Sequence, residues 1–224
     1  MGRITIIALL LCCVRITFAS DNENNTKISK LDTQLIYDQI GNTSISYEAF
    51  ELAYKGWLEL KDSISLKNNT ITVVDFSQPS TQKRFYMIDI DSKKILYQDY
   101  VAHGKNTGML NAKKFSNTPN SLQSSLGFFK TGETYFGKHG LSLKLDGLEK
   151  GINHLARDRH IVVHTAKYAE ESFIKKYGRL GRSFGCPAIP AANYNKVIEE
   201  IKDGTLLFIY HPETDYLHKS TILN

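Results

Sequence analysis

Five short runs of β-branched and aromatic residues constrain the fold of this chain more than any other feature. They read TITVVDF (70–76), RFYMIDI (84–90), ILYQDYVA (95–102), HIVVH (160–164) and TLLFIY (205–210). Runs of this length and composition, bounded by turn residues, are strands rather than helices. The DSKK segment (91–94) between the second and third predicts a hairpin. From 103 to 151 the chain is rich in Gly, Ser and Asn, with short apolar pieces such as LGFF and LSLKL, which predicts strands joined by long loops. Helices are few. Ser46 is placed to cap a helix running to about Leu60, with Glu48 in its first turn and Tyr47, Phe50, Tyr54, Trp57 and Leu58 forming a core-facing stripe. Residues 168–177 predict a second helix that stops at Gly178, and AANYNKVIEEIKDG a third, with Pro190 near its start and Gly204 after its end. No repeat and no interdomain linker interrupts this pattern. The expected class is mainly β with a few helices, α+β, in one domain over 45–212, followed by a tail at 213–224 without a clear pattern.

The N-terminus constrains what can hold such a domain together. MGRITIIALLLCCVRITFAS has a positive residue, Arg3, then an apolar stretch over 4–14, and ends in Thr17-Phe18-Ala19 with small residues at the first and last positions. This is a secretory signal peptide (1–19), because about 11 apolar residues are too few for a bilayer, which needs roughly 20. Residues 20–44 form a polar leader expected to lack structure. The expected location is outside the cytoplasm, with no membrane span left after cleavage. Arg3 and Arg15 leave with the signal, so the net charge of +5 falls to near +3. That is too mild for a nucleic-acid partner.

Cleavage also takes Cys12 and Cys13, two of the three cysteines. The mature chain then keeps Cys186 alone, and an internal disulfide is impossible. An unpaired thiol in an exported protein is exposed to oxidation and wrong pairing. Cys186 lies in GRLGRSFGCPAIP (178–190), a glycine-rich loop. It can be a small buried apolar residue, a metal ligand or a nucleophile. A thiol becomes a useful nucleophile beside a base, and His164, ending HIVVH, is the base that the pattern offers. Acyl transfer also needs donors aimed at the developing oxyanion. Gly185 and Cys186 N–H are the expected donors, and Ser183 is placed to orient the imidazole or to bond substrate. The 7 histidines prompt a metal reading, since HIVVH would set His160 and His164 on one side of a strand. There is no His-x-His and no His-Glu-x-x-His. No metal is expected, and His160 reads as a structural residue.

At IVVHTAKY and GRLGRSFGCPAIP the chain resembles the murein L,D-transpeptidase catalytic domains, a YkuD-like group. The likeness extends upstream through VVDFSQPSTQKRFYMIDI, VAHGKNTG, the 115–149 segment and GINHLARDR. It implies a β-sandwich-like catalytic domain without metal or cofactor. It implies a cysteine-dependent acyltransferase in which Cys186 attacks the carbonyl of a diamino acid in a peptidoglycan stem peptide, D-Ala leaves, and the acyl group passes to an amine. That amine belongs to another stem or to an envelope lipoprotein. Water as acceptor would make an L,D-carboxypeptidase, and a silent peptidoglycan-binding domain is a further alternative. By position Cys186 is the nucleophile, His164 the general base, and Ser183 and Gly185 the matching motif residues. The chain departs from the wider motif where Phe184 replaces a His and Ala188 an Arg. Arg182, with Arg179, is a replacement cation for a substrate carboxylate, and Phe184 a hydrophobic wall. His103, His139 and Tyr135 fall in shared segments and receive no role.

Overall fold

The computed structural model describes residues 30–41 and 44–224. The expected signal peptide, with Cys12 and Cys13, lies outside the described residues, as does the leader up to residue 29. The elements run α1 (Lys30–Ile40), α2 (Tyr47–Leu60), β1 (Thr70–Asp75), β2 (Phe85–Asp89), β3 (Lys94–Asp99), β4 (Gly127–Gly137), β5 (Gly140–Gly147), β6 (Val162–Thr165), α3 (Glu171–Tyr177), β7 (Ala188–Ile189), α4 (Tyr194–Ile201), β8 (Leu206–Tyr210) and α5 (Thr214–Lys219). The class is α+β and sheet-centred, as the strand runs require.

One mixed sheet carries the strands in the order β3-β2-β1-β8-β4-β5-β6-β7. The apolar runs of β1 and β8 are buried along their whole length. They pair in parallel at the centre of the sheet, where both faces are covered. The predicted hairpin joins β2 to β3 in antiparallel register, and β4 and β5 form a second, longer one. The sheet folds over until its two ends meet. The chain beyond β3 bonds to β7, with Ala102 N–H donating to Ala188 O at 2.8 Å and Ala188 N–H to Ala102 O at 3.3 Å. This closure gives the sandwich-like form and ties the segment after β3 to the loop before β7. Closure also protects edges that would otherwise present unpaired backbone groups.

α2 packs on the central strands. Ser46 Oγ accepts from Ala49 N–H at 3.3 Å, the cap the sequence places there. Phe50, Tyr54 and Trp57 are buried, while Tyr47 and Leu58 are half-buried at the margin of the stripe. Gly56 lets Phe128 of β4 reach the helix backbone: a Cβ there would sit 2.0 Å from the Phe128 Cζ. Phe128 in turn stacks on Phe208 of β8 at 4.2 Å. Each such ring, fully buried, contributes roughly 1.5–3 kcal/mol.

Both chain ends differ from expectation. The leader predicted to lack structure forms α1 over Lys30–Ile40, because Tyr37 packs edge-on to Tyr47 at 5.4 Å and donates to Ile45 O at 2.7 Å. The tail contains α5, with Tyr216 and Leu223 buried in the core. It is anchored on the buried Glu149 carboxylate, which accepts from Ser220 Oγ at 2.5 Å, Tyr216 OH at 3.3 Å and Phe128 N–H at 2.7 Å. α1 gains its order from α2 and the segment before it, and the tail gains its order from Glu149. No described helix is long and apolar enough to cross a membrane.

Candidate active site

His164 stands on β6, where Val162 and Val163 are buried and hold the strand. Its ring is also buried, 2% exposed. Nδ1 lies 3.0 Å from Thr165 O, so Nδ1 carries the proton and Nε2 keeps its lone pair. Parallel pairing sets His164 opposite Ala188 of β7, with His164 N–H donating to Pro187 O at 3.3 Å. Cys186 comes two residues before Ala188. Neighbouring strands are about 4.8 Å apart, so the thiol and the imidazole, 22 residues apart in sequence, come from adjacent backbones.

The loop carrying Cys186 is clamped at several points. Ser183 Oγ donates to Cys186 O at 2.5 Å and accepts from Gly185 N–H at 3.1 Å. Ser183 N–H donates to His103 O at 3.0 Å, and Lys105 N–H to Ser183 O at 2.7 Å. Ser124 Oγ donates to Gly185 O at 2.9 Å. Gly185 has φ +129°, and a Cβ there would meet Gln123 O at 2.8 Å and Ile161 Cδ1 at 3.0 Å. Only glycine fits both the conformation and the space. Two expectations change. Gly185 N–H is occupied by Ser183 and does not point free into the site; among the described residues Cys186 N–H bonds no other residue and lies against its own sulfur. Ser183 holds the loop and makes no bond to the imidazole.

Cys186 is the one free cysteine among the described residues, and it is half-buried. Its Sγ donates to His160 O at 3.5 Å. Burial pushes the thiol up, against the opposing pull of Val162 N–H, the Arg159 guanidinium and its own N–H. Burial pushes the His164 imidazole down, offset by its bond to Thr165 O and reinforced by His139. Both shifts favour the neutral pair, thiol and imidazole, over a thiolate beside an imidazolium. Arg159 is the cation on this side. It donates to Ser116 O at 2.7 Å, Ser125 Oγ at 2.5 Å, Ser121 Oγ at 3.2 Å and Gln123 O at 2.7 Å. It thereby braces the loop that packs on Gly185, and among the described residues no carboxylate pairs with it.

The other predicted residues separate. Phe184 is 73% exposed in the loop of Cys186. Arg182 is half-buried and donates to Lys105 O at 3.0 Å, and Arg179 to Leu180 O at 2.7 Å; both hold backbone. His103 is a buried brace. Its Nδ1 lies 2.8 Å from Arg84 Nη2 and its Nε2 3.2 Å from Gly108 O, and burial followed by the Arg84 charge pushes it down to about 3. Arg84 is fully buried, which lowers it to about 9. His160 lies before β6 with φ +54°, outside the strand predicted to carry it. Strand alternation therefore does not put it on one side with His164. Among the described residues no three His, Cys, Asp or Glu side chains converge as for a metal.

A cleft of about 630 Å³ is lined by Tyr135, Lys144, Arg157, Asp158, His160, Ile161 and Val162; the backbones of His160 and Val162 also contact the Cys186 thiol. Its rim is an ion-pair network. Lys144 bonds Glu133 at 2.7 Å, and Arg157 bonds both Glu133, at 2.9 Å, and Asp146. These bonds hold the Glu133 carboxyl well below its ordinary value, the Arg157 bond first. Tyr135 thus lines the cleft, with Lys144 Nζ 5.5 Å from its ring. His139, on the β4–β5 turn, stacks on His164. Sequence reasoning missed Arg159, Tyr168 and Ser124. The segment GINHLARDR held the first, but nothing local marks an arginine that braces a loop over 30 residues away.

Comparison with known families matches residues 41–210 to the L,D-transpeptidase catalytic domain. Solved structures similar to this chain include an L,D-transpeptidase from Mycobacterium smegmatis, at 12% identity and TM-score 0.40, covering 64% of this chain and 59% of that one. Another is the helical cell shape determining protein Pgp2 from Campylobacter jejuni, at 15% identity and TM-score 0.42, covering 72% and 55%. A third is an L,D-transpeptidase from Stackebrandtia nassauensis, at 12% and 0.37, covering 82% and 78%. The chain thus spans just over half the length of the first two. No curated protein matches it.

Proposed function

We propose, for a chain that belongs to the family of L,D-transpeptidase catalytic domains, that it transfers acyl groups between peptidoglycan stem peptides in the cell envelope, with Cys186 as nucleophile. The observation that carries the reading is the β6–β7 pairing, which sets the strand of His164 against the clamped loop of Cys186.

In the resting arrangement the thiol is neutral and donates to His160 O. Rotation about the Cα–Cβ bond turns the S–H toward His164 Nε2, which takes the proton as sulfur attacks the carbonyl of the stem-peptide diamino acid. The C–S bond forms and the carbonyl oxygen gains the electron pair. Cys186 N–H, which in the resting site bonds no other described residue, is the donor for that oxyanion, a contribution worth about 10²–10³ in rate. The tetrahedral species collapses, the C–N bond to D-Ala breaks, and His164 returns its proton to the leaving amine. An acceptor amine then attacks the thioester, gives a proton to His164, and the thiol is restored as the new amide forms. The acceptor is a second stem or, by the same chemistry, a lipoprotein amine. The cleft lined by Tyr135 and the Lys144–Arg157 rim is the subsite next to the reacting carbonyl.

The test is mass spectrometry of muropeptides incubated with purified wild type and Cys186→Ala. Wild type releases D-Ala and forms dimers, and the mutant does neither. D-Ala release without dimers identifies hydrolysis, an L,D-carboxypeptidase. Wall binding without turnover or a covalent adduct on Cys186 identifies a silent binding domain.

A further inference from the structure

We infer that His139, at the tip of the β4–β5 hairpin, is a positioning residue for His164: its ring covers the outer face of the buried imidazole, fixes the plane of that ring and keeps water off it. The inference rests on the reading of His164 as the general base. The two rings are 4.3 Å apart between centroids and 25° from parallel. The inner ring is buried and the outer one exposed, so His139 is the layer between His164 and solvent.

The hairpin register explains how it gets there. Gly137 and Gly140 are the last pair of β4 and β5, which makes Lys138 and His139 the two turn residues. β5 continues alongside β6 with Ser142 opposite His164. The turn therefore lies three residues from the partner of His164, close enough for a side chain to fold back over the ring.

His164 needs such support. Its ring makes one hydrogen bond, from Nδ1 to Thr165 O. One bond selects the tautomer but leaves the ring free to tilt about Cβ–Cγ. A face contact blocks the tilt. Tyr168 closes a second side, edge-on at 6.5 Å and 79°. The titratable groups around the imidazole are His139 from the hairpin, Tyr168 from the turn after β6 and Cys186 from the loop before β7; Ser142 on β5 does not titrate. Two stacked imidazolium ions would repel, and burial and His139 together hold His164 down. His139 is thus placed to keep the base unprotonated as well as aligned.

The test compares wild type, His139→Ala and His139→Phe by two readouts. The first is the NMR titration of the His164 ring. The second is the pH profile of D-Ala release, with kcat and KM separated. His139→Ala removes the cover and the repulsion together, so the His164 midpoint and the acid limb both move up. kcat then falls roughly tenfold, as misalignment of a general base implies, with KM little changed. His139→Phe keeps the stacked ring and removes only the charge. It recovers most of kcat, and its midpoint rises less than that of the alanine variant. A His139→Ala protein with the wild-type midpoint and kcat overturns the inference, as does a His139→Phe protein as impaired as His139→Ala. If wild type releases no D-Ala, the acyl-transfer reading fails, while the NMR midpoints still decide whether His139 covers His164.

Discussion

Replacing Ser183 by alanine separates a residue that holds the loop from one that orients the base. The hydroxyl is buried and makes two bonds at once, to Cys186 O at 2.5 Å and from Gly185 N–H at 3.1 Å. Alanine deletes both and leaves a buried N–H and a carbonyl without partners. An unsatisfied buried donor costs about 1–3 kcal/mol, and the lost bond to the carbonyl adds about 1 kcal/mol. The expected destabilisation is therefore about 2–4 kcal/mol. For a domain of 150–250 residues each kcal/mol lowers Tm by about 2–4 °C, so calorimetry should show a fall of roughly 5–15 °C. Turnover falls too, by about 10²-fold if Cys186 moves by about 1 Å. The pH at which the acid limb of the rate profile falls stays at its wild-type value, because Ser183 does not touch His164. A Tm within about 2 °C of wild type, together with a shifted acid limb, would refute the clamp and return Ser183 to the imidazole.

Two further perturbations address the same loop. Gly185→Ala forces a non-glycine residue to φ +129° and drives its Cβ to 2.8 Å from Gln123 O. Backbone strain of about 1–3 kcal/mol and overpacking of about 1–3 kcal/mol sum to roughly 2–6 kcal/mol in urea unfolding, and a loss below about 1 kcal/mol would contradict the geometry. Arg159→Met removes the cation that draws the buried thiol down. The thiol then ionises at higher pH, the midpoint of iodoacetamide labelling moves up, and labelling at pH 8 slows. Arg159→Lys keeps the charge and stays nearer wild type, so equal midpoints in all three proteins would dismiss Arg159 as a thiol neighbour.

Much of the fold was legible because strand signals are local. β1, β2 and β8 announce themselves as apolar runs that end within a residue or so of where pairing ends. α2 could be located from Ser46 and an aromatic stripe. β7 was not legible, since its two residues are a strand only through Ala102 and His164. α1 and α5 were missed for a related reason. Their sequences carry weak periodicity, and their order comes from Tyr37 on α2 and from Glu149 beneath Ser220 and Tyr216.

The site divides in the same way. The sequence alone singled out Cys186 and His164 as candidates, because the expected signal peptide would take the other two cysteines, the glycine setting of Cys186 suits acyl transfer, and the strand pattern offers one nearby imidazole. The identities of Ser183 and Gly185 were equally plain. What those groups bond to was decided only in three dimensions. Gly185 N–H goes to Ser183, the thiol turns to His160 O, Arg159 braces a loop packed on Gly185, and His139 lies over His164. Residue type and spacing limit what chemistry a chain can perform. A hydrogen bond or a ring contact between segments 25 to 36 residues apart, such as those of the thiol, Arg159 and His139, depends on how the sheet closes, and no local pattern encodes that.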